Sequence, residues 1–154
     1  MAAKQHRILP EGVMAPQHRL QLLDGGETPL YDSDADPLTL FVFFKVTCPV
    51  CQLTLPYLND LHRSGSMKIR AVSQNSPEDT REFIEEFGIE YPVLLDKEDA
   101  GFPASNLYGI SHVPSQFLVG KDARIARVIE GWNKQEMQKL GVQVEPGVPD
   151  FKAG

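Results

Sequence analysis

Cysteine is scarce in this chain: there are two in 154 residues, Cys48 and Cys51. A framework of structural disulfides would use more of them, at wider spacing. A zinc site would need two further ligands, and the four histidines, His6, His18, His62 and His112, show no matching pair spacing. Long apolar runs are missing too. The longest, residues 38–44, is broken only by Thr39 and falls far short of the roughly 18–20 residues a membrane span requires. There is no basic block: 15 Lys and Arg stand against 21 Asp and Glu, a net charge of -6. That argues against nucleic acid or an anionic membrane surface as the main partner. Nor do repeats or low-complexity segments occur.

What remains is ordinary for a globular protein, 42% hydrophobic and 23% charged, with a mean hydropathy of -0.25. The length suits one domain able to bury a core. A single domain over residues 1–154 is expected, with its core at about 12–140, a leader at 1–11 and a tail at 141–154. Residues 1–10 carry Lys4 and Arg7 but no apolar stretch of the kind a secretory signal has. The expected compartment is the cytoplasm, or outside it if the sequence is a trimmed piece of an exported protein.

His18, Leu20 and Leu22 alternate with polar residues, which predicts an edge strand ending at the turn signal Asp24-Gly25-Gly26. The acidic stretch from Asp32 to Asp36 reads as a loop. Residues 38–44 form a buried strand, and the two cysteines follow it at once. Apolar residues Val50, Leu53, Leu55, Leu58 and Leu61 predict a helix over 49–62, with Pro56 inside it as a kink. Residues 68–73 read as a strand. Ser76 and Pro77 then supply an N-cap and a first position for a helix that Gly88 stops. A short strand at 92–95, a short helix at 104–108, strands at 115–119 and 124–129 around Gly120-Lys121-Asp122, and a helix at 133–140 complete the pattern. Strands alternating with helices, then a hairpin, predict an α/β fold with a mixed sheet and helices on both faces.

The strongest chemical signal is Cys48-Pro49-Val50-Cys51 set between a buried strand and a helix. That context puts Cys48 at a helix N-terminus, where partial positive charge and free N–H groups favour a thiolate, the species that attacks a disulfide. Cys51, one turn on, is near enough to resolve the mixed disulfide. The plainer reading is two inert core cysteines.

These residues, with two prolines, resemble the thioredoxin superfamily. Pro56 lies eight residues after Cys48 (56 − 48) and is similar to that family's helix-kinking proline. Val113-Pro114-Ser115 resembles its cis-proline loop, which implies that Val113 and Pro114 face Cys48 and bind an extended substrate. The separation from Cys48 to Pro114 (114 − 48 = 66) leaves room for an extra helix and strand. With Gly12-Val13-Met14-Ala15-Pro16 near the start, this is similar to the TlpA-like and AhpC/TSA-type branch. The resemblance implies a thioredoxin fold with an N-terminal extension and a central α-β insertion. It also implies exchange of disulfides with protein thiols, no cofactor and no bound metal. A monomer is expected. Three positions depart from the family: Thr47 replaces the usual Trp before the first cysteine, Val42 the buried Asp, and Thr54 the Glu of TlpA-like proteins. Lys45 and His112 are candidate modulators in their place, although as charged or polar groups both are expected to face solvent.

Two other functions fit the same fold. Peroxiredoxins bind peroxide through Pro-x-x-x-Thr/Ser-x-x-Cys; counting back from Cys48 meets Phe41 and Lys45, and from Cys51 it meets Phe44 and Cys48. A Sco-type copper-binding protein would use two thiolates and a distant histidine, but that family separates its cysteines by three residues and this chain by two.

Overall fold

The computed structural model describes residues 7–32 and 38–152. The acidic loop lies largely outside these residues, and so does the start of the leader. Seven strands form one mixed sheet: β1 (Arg19–Leu22), β2 (Glu27–Pro29), β3 (Thr39–Phe44), β4 (Lys68–Ser73), β5 (Val93–Leu95), β6 (Ser115–Val119) and β7 (Ile125–Glu130). They run in the order β2-β1-β5-β4-β3-β6-β7. β3 is parallel to β4 and β4 to β5, while the outer pairs are antiparallel. Every residue of β3 is buried, as a central strand covered on both faces demands.

Among the described residues four α-helices flank the sheet: α1 (Pro49–Ser64), α2 (Pro77–Phe87), α3 (Pro103–Tyr108) and α4 (Lys134–Leu140). Strand alternation sorts them between two faces. Phe41, Phe43 and Phe117 pack on Tyr108 of α3, with ring centroids 4.9 to 5.7 Å away. The intervening residues point the other way: Phe44 meets Phe83 of α2, and Gln116 reaches Met137 of α4. α1 shares this second face, since Tyr91 donates to the Leu55 carbonyl and Tyr57 packs on Trp132 just ahead of α4. Among the described residues no helix is long and apolar enough to cross a membrane.

The predicted caps close α2: the Ser76 hydroxyl accepts from the Asp79 N–H, and Gly88 takes the left-handed conformation at φ 65°. α1 runs on to Ser64, past Pro56 in its interior. β2 was not expected; it pairs with β1 across Gly25 and Gly26, whose φ values of 98° and 80° suit a turn only glycine makes easily. The described part of the leader is not loose. Leu9 N–H donates to the Tyr108 carbonyl, and residues 12–15 bond along β7 and the turn before it. The tail is likewise an ordered arm, bridged from Phe151 to Trp132 by two backbone hydrogen bonds.

Candidate active site

β3 delivers the chain to α1, and Cys48 is the residue at which strand geometry gives way to helix. It is the N-cap of α1, with φ -86° and ψ 114°. Its Sγ accepts a hydrogen bond from the Cys51 N–H at 3.2 Å. The first backbone donors of any helix have no intrahelical acceptor, so charge on this sulfur meets a waiting N–H. The Cys48 side chain is half-buried and stands open to solvent on one side, whereas Cys51 is fully buried. Both are free thiols.

Burial pushes the Cys51 thiol far above its ordinary value. Its hydrogen bond with Cys48 and the charge of Cys48 push the same way, while a backbone hydrogen bond and the charge of Lys45 pull against them. The two cysteines thus stand in unequal environments.

The loop before β6 closes the site. The Val113–Pro114 peptide is cis, and the Val113 carbonyl accepts from Cys48 Sγ at 3.6 Å. Both residues are buried. Lys45 and His112 come together here: with Gln74, Ser111 and Val113 they line a polar cavity of about 80 Å³. Both are exposed, and His112 Nδ1 lies 3.0 Å from the Ser111 hydroxyl.

Neither position where the family carries a carboxylate supplies a substitute base. Val42 is apolar and buried, and the Thr54 hydroxyl donates to the Val50 carbonyl of its own helix at 2.7 Å. Sequence reasoning overlooked Asp96, a fully buried carboxylate. It accepts from Ala104 N–H, Ser105 N–H and the Ser105 hydroxyl at 2.9, 2.8 and 2.6 Å. Gln74 then donates to that hydroxyl at 2.8 Å, which ties one wall of the polar cavity to the start of α3. The available signal was an acid placed directly after the apolar run of β5.

The AhpC/TSA family profile matches residues 12–128. The chain is similar to the thiol-disulfide oxidoreductase ResA of Geobacillus thermodenitrificans, with 30% identity over 140 residues, 88% of this chain and 78% of that one. Its fold is similar to the thioredoxin domain of a thiol-disulfide oxidoreductase from Bacteroides vulgatus, at TM-score 0.75 and 23% identity, covering 86% of this chain and 96% of that one. A thiol:disulfide interchange protein from Bacteroides sp. is similar at TM-score 0.68 and 25% identity, covering 78% and 81%. The fold is therefore the thioredoxin fold.

Proposed function

The chain belongs to the AhpC/TSA family, and on that footing we propose that it exchanges disulfides with protein thiols, Cys48 attacking and Cys51 resolving. It is a thiol-disulfide oxidoreductase, akin to the ResA proteins. One observation carries the assignment of roles: an accessible thiol at the N-cap of α1 with a second thiol one turn inside, sealed from solvent.

The chemistry balances as two displacements. The Cys48 thiolate attacks one sulfur of a substrate disulfide, and the other substrate sulfur leaves as a thiolate that takes up a proton. Cys51 then gives up its proton, and its sulfur attacks Cys48 Sγ. The second substrate sulfur leaves, so the substrate gains two electrons and two protons while Cys48 and Cys51 become a disulfide. Run backwards, the same steps oxidise a dithiol; the pair's reduction potential against its surroundings sets the direction.

Val113 and Pro114 would flank the substrate chain, a reading supported by the contact between Cys48 and the Val113 carbonyl. Lys45 and His112 act as modulators beside the pair, with Lys45 bearing on Cys51 through its charge. Described residues of one chain supply every group named, which supports action as a monomer. The test is turnover of a protein disulfide with a small dithiol as the terminal reductant. Catalysis that is lost in Cys48→Ser is expected; a wild-type rate no faster than the dithiol alone overturns the proposal.

A further inference from the structure

α1 carries two apolar stripes. Cys51, Leu55 and Leu58 face the core and are fully buried. Val50, Leu53 and Tyr57, spaced three and four apart, form with Pro49 a second stripe on another face. Tyr57 is covered by Trp132, with ring centroids 5.0 Å apart. The other three are not: they form one wall of an open groove of about 440 Å³, and Val148, Pro149 and Phe151 of the tail form the other.

The tail wall is built rather than draped. Phe151 and Trp132 exchange backbone hydrogen bonds at 2.8 and 3.0 Å, and Asp150 accepts from the Lys134 N–H at 2.8 Å. Val142, where the tail leaves α4, is buried. Yet Phe151 itself stands 43% exposed, and Val50 and Val148 are only half-buried. The groove starts at Pro49 and Val50, the residues between the two cysteines, so it adjoins the exchange centre. Leu53, five residues beyond Cys48 (53 − 48), lies about 7.5 Å along the helix axis. Two residues of extended chain cover about 7 Å. A polypeptide joined to Cys48 and extended along α1 would therefore reach this groove with the side chain two residues from its own cysteine.

We infer that the groove between α1 and the tail is a specificity subsite that takes a large apolar side chain of the substrate protein, two residues from the cysteine that pairs with Cys48. This rests on the exchange reading above and extends it to the sequence of the partner. The tail supplies half the subsite, so part of the discrimination is made by residues outside the segment that carries the chemistry.

The experiment compares three disulfides: two cystine-linked peptides that differ only in leucine or serine two residues from the cysteine, and a small aromatic disulfide that reports on the Cys48–Cys51 centre alone. The wild type should favour the leucine peptide by about tenfold or more in kcat/KM, the range an apolar pocket achieves. Phe151→Asp and Val148→Asp should each collapse the leucine-to-serine ratio towards unity. If Val148→Asp fails to fold by circular dichroism, Phe151→Asp carries the test, because Phe151 is the more exposed of the two. Small-disulfide turnover without peptide preference in the wild type overturns the subsite and leaves the exchange reading standing. So does a preference unchanged in Phe151→Asp. A dimer in sedimentation that Phe151→Asp dissociates would give the groove to a second copy and overturns it as well. Failure to turn over any of the three disulfides removes the exchange reading and the subsite with it.

Discussion

Iodoacetamide labelling of the reduced protein at pH 8 should modify Cys48 at least about tenfold faster than Cys51. Only the thiolate is alkylated. A thiol at the ordinary value of 9.0 is about a tenth ionised at that pH, and every further unit upwards removes another factor of ten. Burial pushes Cys51 well beyond that value, so its reactive fraction is small before access is counted. Access compounds the difference, since Cys51 has no exposed surface and Cys48 is partly open. Mass spectrometry of the singly labelled protein, after digestion, reads which sulfur reacted. The same inequality appears when substrate is present: Cys51→Ser should accumulate a mixed disulfide through Cys48, while Cys48→Ser should accumulate almost none. Labelling that begins at Cys51, or equal trapping by the two variants, would refute the division of roles.

Stability of the reduced protein should fall as pH rises above 9.0, because there the unfolded chain releases the Cys51 proton that the native state retains. The limiting slope is about 1.4 kcal/mol per pH unit; below pH 8 both states hold the proton and the slope vanishes. Urea titrations of the wild type and Cys51→Ala, both reduced, isolate this contribution, and equal slopes above pH 9 would contradict it. Asp96→Ala should cost about 3 kcal/mol, since it strands buried donors of Ala104 and Ser105; a urea midpoint within error of wild type would remove that account. Hydrogen peroxide should oxidise the reduced protein no faster than a small thiol at matched ionisation. Phe41 and Lys45 stand where the peroxide-orienting Pro and Thr would be, and stopped-flow oxidation at peroxidase speed would refute this.

The parts of the fold legible in the sequence are those whose cause is local. β3 reads from its run of apolar residues, α2 from Ser76, Pro77 and Gly88, and the site from two cysteines at a strand-to-helix junction. Each depends on neighbours within about one turn. β2 escaped notice because Glu27-Thr28-Pro29 has no alternation; it is a strand only because β1 offers an edge across the glycine turn. The tail escaped for a different reason. Phe151 faces the start of α1 across the groove from about a hundred positions away in sequence (151 − 49 = 102), and no periodicity in residues 141–154 announces that approach. Asp96 sat between: its position after β5 was visible, but its partners in α3 became apparent only once the chain had folded back.

In the exchange proposed, the surroundings of Cys51 bear on the order of the two displacements. In the dithiol, three influences hold its proton on: burial, the hydrogen bond with Cys48, and the charge Cys48 bears when ionised. The last two belong to Cys48 as a free thiol or thiolate. When Cys48 joins a substrate sulfur, it is a poorer acceptor for the Cys51 thiol proton and has no charge to repel with, so both influences fade. Burial persists, and so does the opposing pull of Lys45. Formation of the mixed disulfide therefore lowers the barrier to deprotonating Cys51 at the moment its sulfur is required. Before that moment the same contacts keep Cys51 protonated and out of competition with Cys48. On the roles proposed, Val42 and Thr54 place no carboxylate beside Cys51, and the change at Cys48 is what eases its deprotonation against a burial that stays.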